Sequence, residues 1–159
     1  QICVRAVSSS SIGTLKGIVD SYIAVNKDRV GLNDGAKIAQ DPNAQMALAE
    51  AVSVVDECKT IMYRNFDTMI AYAREGQTPP MNDRIKMRFD AALVSRKCAD
   101  AVNNLFISCG AQGIFKNHPL NRAWLDINAG RTHVANNPFK FGRNLGGTMM
   151  GLVNEDTFL

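Results

Sequence analysis

The chain has 159 residues, of which 46% are hydrophobic, 21% charged and 7% aromatic, which excludes a disordered or fibrous polymer and suffices for one domain with its own core. A formal charge of only +3, with Lys and Arg mixed among Asp and Glu, leaves no basic stripe and argues against nucleic acid as a partner. No apolar run has the length of a membrane span, and QICVRAVSSSS lacks the apolar core and cleavage site of a signal peptide, so neither a membrane nor secretion is expected.

In chain order, the apolar opening reads as a strand or an extended arm. The serines at 8–11 then offer N-cap oxygens before Ile12, Leu15, Ile18, Val19, Tyr22 and Ile23, whose spacings of three and four predict a first helix over 10–29. Two glycines and a proline in 31–42 mark a connection. Leu48, Val52, Val55, Met62, Phe66, Met69 and Ala73 step almost by heptads and predict a second helix over 43–75, which REGQTPP ends. From Asn82 a third helix carries Ile85, Phe89, Ala92, Leu93, Cys98, Val102, Leu105 and Phe106 as far as a stop at Gly110. GAQGIFKNHP forms the next turn. A fourth helix over 119–136 places Leu120, Trp124, Ile127 and Val134 on one side, and NNP closes it before a shorter helical segment near 138–150.

No strand pattern competes with these segments. The predicted fold is all-α, an antiparallel four-helix bundle with a short extra C-terminal helix, forming a single domain over 1–159. Met46, Met62, Met69 and Met87 sit at helical spacings and read as core filler. Cys3, Cys58, Cys98 and Cys109 lie far apart without a C-x-x-C pair, which predicts buried free thiols, no metal site and a reducing, cytoplasmic compartment. A start at Gln rather than Met suggests a piece of a longer polypeptide.

The fourth helix carries the chemistry. At about 100° per residue, Arg122, Asp126, Ala129 and His133 form a polar stripe opposite the apolar one. Arg122 and Asp126 are spaced as an i, i+4 ion pair. Asp126 and His133 lie about 10 Å apart along the axis, beyond a direct hydrogen bond. Gly130 lies mid-helix, where it costs about 1 kcal/mol relative to Ala and lets a backbone or a ligand approach closely. GAQGIF has no strand before it and is weak as a phosphate loop. No H-E-x-x-H, G-x-S-x-G or paired Glu-x-x-His motif occurs.

The run GAQGIFKNHPLNRAWLDINAGRTHVANNPFKFGRN, residues 110–144, resembles the C-terminal helical domain of the two-component flavin-dependent monooxygenases that share the acyl-CoA dehydrogenase fold. In that family a GG or GA turn is followed by P-L-x-R, an aromatic residue, an Asp and, seven residues later, a His. The matching residues here are Gly110-Ala111, Pro119-Leu120-Asn121-Arg122, Trp124, Asp126 and His133. Leu125 departs from the family, which commonly has Arg before the Asp.

The resemblance implies the C-terminal fragment of a longer flavoenzyme that hydroxylates an aromatic or heteroaromatic substrate through a C4a-hydroperoxyflavin. Its cofactor would be reduced FMN or FAD delivered by a separate flavin reductase. His133 would be the catalytic group, donating a hydrogen bond to the peroxide or taking the phenol proton, a role suited to an imidazole with an unperturbed pKa of about 6.5. Gly110, Ala111 and Asn136 would bind the cofactor, and Arg122, Asp126 and Gly130 would contact the substrate or support the site. In acyl-CoA dehydrogenases a basic residue near the end of the first bundle helix reaches the flavin phosphate of a neighbouring subunit; Lys27 or Arg29, within KDRVG, would take that place.

Such enzymes hold their flavin between this bundle, a middle β-domain and an N-terminal helical domain. The chain by itself is therefore expected to bind flavin poorly and not to turn over, and to oligomerise through the bundle as a homotetramer. Two other readings remain at this point: an acyl-CoA dehydrogenase proper, for whose carboxylate base no well-matched residue is found, and a non-catalytic oligomerising bundle.

Overall fold

A computed structural model describes residues 2–31 and 35–159, without the side chain of residue 2. It contains helices α1 (Ile2–Asn26), α2 (Pro42–Arg74), α3 (Met81–Ser108), α4 (Pro119–Arg131) and α5 (Pro138–Met149), with short 3-10 turns at Ile38–Gln40, Gly110–Ile114 and Val134–Asn136. Among the described residues there is no strand, only one isolated bridge between Val30 and Lys37. Part of the expected 31–42 connection, residues 32–34, lies outside them.

Three helices start in the same way, from an X-Pro pair whose first residue caps. Asp41 accepts from the Asn43 N–H before Pro42, His118 from the Leu120 N–H before Pro119, and Asn137 from the Lys140 N–H before Pro138. Proline suits the first helical position because its missing N–H would be unpaired there anyway. α2 ends at Arg74, two residues before Gly76 with its φ of +67°, and Pro79 and Pro80 prevent it from continuing.

The bundle runs up, down, up and down. α2 lies antiparallel to α3, since Glu50 meets Asn104, Glu57 meets Lys97 and Asn65 meets Asp90. α1 runs parallel to α3, with Ser11 on Ser95 at 3.0 Å and Tyr22 on Ser108 at 2.8 Å. α4 descends beside α3, where the Trp124 indole donates to Asn103 and its ring lies 5.4 Å from that of Phe106. α3 is the central helix: Val102 and Leu105 are fully buried in one core cluster with Leu15, Leu120 and Ile127 of its neighbours, and Ile85 is buried nearer its start. α5 packs on the first half of α3. A Cβ at Gly142 would come within 2.8 Å of the Phe89 ring, so this glycine is what lets the two helices approach.

Several expectations are corrected. The opening residues from Ile2 are helical and α1 ends at Asn26, so neither an arm nor the 10–29 boundaries hold. The serines lie inside the helix: Ser8, Ser9 and Ser10 donate back to the carbonyls three residues earlier, and Ser11 pairs with Ser95. Such back-bonding competes with capping for the same hydroxyl.

On α2 the buried seam is Ala44, Ala47, Ala51, Cys58 and Asn65, whereas Leu48, Val55, Met62, Phe66 and Met69 are half-buried, Ala73 is exposed and Val52 is 49% exposed. At about 100° per residue the seam is rotated roughly 60° from the expected stripe. Of the core methionines only Met87 is buried, and Met46 is 60% exposed. All four cysteines are free; Cys58, Cys98 and Cys109 are buried but Cys3 is exposed. α4 stops at Arg131 rather than 136, and Val134 is 68% exposed instead of facing the core.

Candidate active site

The end of α4 positions the site. Helical geometry ends at Arg131 with Thr132 as the C-cap, and His133 takes an extended conformation that caps the 3-10 turn Val134–Asn136. His133 therefore does not continue the Arg122–Asp126 stripe, and Gly130 falls in the last helical turn rather than mid-helix. The His133 Nδ1 accepts the Ala135 N–H at 3.1 Å. A neutral ring with Nδ1 engaged as an acceptor carries its proton on Nε2. His133 is exposed, and among the described residues no hydrogen bond is made to Nε2. The turn thus presents one N–H donor to whatever covers this face.

Beside the ring lies an open depression of about 500 Å³ lined by Arg96 and Asp100 of α3, by Arg131, Thr132 and His133, and by Asn137. Asp100 is shared between Arg131 at 3.6 Å and Arg96 at 3.9 Å. Two guanidinium groups and one carboxylate leave the depression with an excess of one positive charge, suited to an anionic or oxygen-rich partner.

The floor of the turn is rigid. Asn136 is fully buried and donates through Nδ2 to the Gly130 carbonyl at 2.8 Å, leaving its Oδ1 without a partner. Ala135 is tied through its carbonyl to Arg88 Nη1 at 2.9 Å. A Cβ at Gly130 would meet the Ser11 hydroxyl at an ordinary 3.5 Å, so no close approach requires glycine there.

Arg122 and Asp126 form an exposed pair, Nε to Oδ2 at 2.8 Å, and the pairing raises the guanidinium pKa. Neither lines the depression. The remaining predicted residues gather at the other end of the bundle. Arg29 is committed to its own fold, donating to Asn26 Oδ1 at 3.1 Å and to the Cys109 carbonyl at 3.3 Å. Gly110 adopts φ +64° at the end of α3 and Ala111 is exposed in the following turn. Lys27 is exposed beside an apolar cavity of about 190 Å³ lined by Tyr22, Ile38 and Leu48. Cys109 stands nine residues beyond Asp100 on α3, about 13 Å along the axis. The structure therefore brings His133 and Asn136 together and leaves Lys27, Arg29, Gly110 and Ala111 as a separate group.

Sequence reasoning missed Arg96, Asp100 and Arg131 as neighbours of His133. Arg131 was legible in R-T-H, two residues before the histidine, but a continuous helix would turn the two side chains about 200° apart. Among the described residues no group of three or more His, Cys, Asp or Glu side chains is placed to hold a metal, and no helix is long and apolar enough to cross a membrane.

A parallel-and-antiparallel helical bundle with an ordered polar turn after its fourth helix defines the class of the domain. Residues 6–138 match the family described as acyl-CoA dehydrogenase, C-terminal domain, and the chain belongs to that family. It is 29% identical over 96% of its length to a flavin-dependent monooxygenase, oxygenase subunit HsaA, of Rhodococcus jostii. It is also 29% identical over 92% of its length to the oxygenase component of an FADH(2)-dependent resorcinol hydroxylase of a Rhizobium species. The chain spans 40% and 38% of those two proteins. The crystal structure of a 3-HSA hydroxylase from a Rhodococcus species superposes with a TM-score of 0.88 at 28% identity, over 99% of this chain and 39% of that one.

Proposed function

We propose that this chain is the C-terminal domain of the oxygenase component of a two-component monooxygenase that uses reduced flavin to hydroxylate an aromatic substrate. The observation that carries the reading is His133, held at the end of α4 with Nε2–H free beside Arg96 and Arg131, in a chain whose relatives are named as oxygenase components. The donors and the positive charge in the depression fit one wall of a site for an electron-rich ring and its oxygens. Reduced flavin, when bound, supplies the electrons that activate dioxygen for transfer to the ring.

The residues of this chain bind, orient and hold a proton. Because the Ala135 N–H occupies Nδ1, neutral His133 would donate from Nε2 to an oxygen of the substrate or of the bound cofactor. Taking a phenol proton at Nε2 would require the ring proton to move to Nδ1 and break the Ala135 bond, so donation is favoured over base catalysis. Arg131, paired loosely with Asp100 at 3.6 Å, adds positive charge where oxygen-centred negative charge develops. Asn136, Gly130, Arg122 and Asp126 support the turn and helix that carry His133. Lys27, Arg29, Gly110 and Ala111, at the other end of the bundle, are assigned to the more distant parts of the cofactor or to a neighbouring subunit.

A flavin reductase is the partner that this chemistry requires, a cytoplasmic homotetramer is the assembly proposed, and reduced FMN or FAD is the cofactor proposed, with FADH(2) in the name of one relative. His133→Ala in the full-length oxygenase is expected to lower hydroxylated product about 100-fold or more, the usual effect of losing a positioned donor, with the oxygen consumed appearing as hydrogen peroxide. Unchanged product yield would remove His133 from the mechanism.

A further inference from the structure

Arg88 is a buried cation on α3, 5% exposed, held among groups from three parts of the chain. Its Nη1 donates to the Ala135 carbonyl at 2.9 Å, its Cζ lies 3.4 Å above the centre of the Phe141 ring of α5, and its Nε stands 3.5 Å from Asp156 Oδ2. Asp156 is itself only 6% exposed. Neither the Arg88 Nε nor the Asp156 Oδ2 makes a hydrogen bond, so the pair is joined by charge alone. Burying such a pair is costly, and an apolar pair of the same volume would stabilise a fold as well or better. The pair is therefore weak evidence of a stabilising role.

The segment that carries Asp156 is constructed to present it. Asn144 of α5 donates through Nδ2 to Asn154 Oδ1 at 2.8 Å and accepts the Glu155 N–H at 2.8 Å. Asn154 in turn bonds the Asp156 backbone on both sides, and Asp156 Oδ1 accepts the Phe158 N–H at 3.0 Å. Segment 154–158 is a strap fastened to α5 whose one inward side chain meets Arg88.

The residue that Arg88 grips, Ala135, is the one whose N–H His133 accepts. The Ala135 carbonyl takes Arg88 while the Ala135 N–H takes His133 Nδ1. We propose that Arg88, anchored by Asp156 and Phe141, is a positioning residue that fixes the Ala135 turn and with it the Nε2–H tautomer of His133. The inference rests on the catalytic reading of His133 only for its consequence in activity; the tautomer itself is independent of it. Arg88 touches neither substrate nor cofactor, and strap 154–158 couples a distant part of the chain to the site.

The test is the imidazole nitrogen NMR spectrum of His133 in the 159-residue chain. In the native chain the neutral ring is expected to show Nδ1 unprotonated and Nε2 protonated. In Arg88→Lys, which keeps the charge but not the forked donor, the spectrum shifts to a mixture of both tautomers. Since removing one partner of a buried pair endangers folding, Arg88→Met/Asp156→Leu, which fills the same space without charge, is measured beside it and gives the same mixture with a cooperative thermal transition retained. In the full-length oxygenase these variants lower kcat for hydroxylation ~10-fold or more, as expected of a displaced catalytic group, with KM nearly unchanged. A native tautomer pattern in either folded variant overturns the proposal. Loss of the tautomer with full hydroxylation retained would instead count against the catalytic role of His133, so the two failures are distinguishable.

Discussion

His133 and His118 are used alike, each accepting through Nδ1 the N–H two residues on, yet their surroundings separate their roles. His118 begins α4 near Arg29, and burial first, then the Arg29 charge, lower its pKa. The fold thus favours the neutral ring. Its contribution to stability is complete above the unfolded value of about 6.5 and is lost as pH falls through the lowered folded value. The melting temperature of the native chain is expected to drop more between about pH 7.5 and 5.5 than that of His118→Asn, which keeps a capping oxygen but cannot titrate; equal drops in thermal scans would contradict the assignment. At the same scale, Leu105→Ala, at a fully buried position of α3, should cost about 2–5 kcal/mol in denaturant unfolding.

Helix α2 shows what one element can do with two faces. Its alanine and Cys58 seam lets α3 approach closely, so Ala51→Leu is expected to destabilise by about 1–3 kcal/mol through overpacking. Val52, 49% exposed, should tolerate Ala within about 0.5 kcal/mol in this chain. Urea unfolding of the two variants measures both, and a reversed order would show the seam to be wrongly placed.

The same helix marks how far the sequence could be read. Its existence and length were legible from heptad spacing and from the prolines that bound it, and so were α3 and the order of the bundle. The seam was not, because hydrophobic patterns weight large side chains while close helix packing rests on small ones. α4 was extended past Arg131 because apolar periodicity continues to Val134, and it carries no sign that His133 will bond its own turn. The polar residues of that run were visible, but their grouping was not: Arg96 and Asp100 join His133 only through the α3–α4 packing, and Arg88 with Asp156 is a pairing across 68 positions of sequence.

At the scale of the molecule, the chain exposes more large apolar surface than its own core needs. Val52, Tyr63 and Ile70 share one side of α2, and Met149, Met150, Val153 and Phe158 are each 80% exposed or more. Apolar surface of this kind suits contact with other protein, in keeping with the assembly proposed above. Val52→Asp combined with Ile70→Asp is expected to leave the helical content of this chain unchanged and to shift the proposed full-length oxygenase to smaller species in sedimentation; an unchanged sedimentation profile would contradict an interface on this face of α2.

The central proposal is that this domain supplies one wall of a reduced-flavin site completed by other parts of an oxygenase. Anaerobic titration of reduced FMN and FAD into the 159-residue chain and into the full-length oxygenase tests it most directly. Saturable binding to the full-length protein, with little or none to the chain alone, is the predicted result. Binding to neither would contradict the account and leave a helical assembly domain in its place.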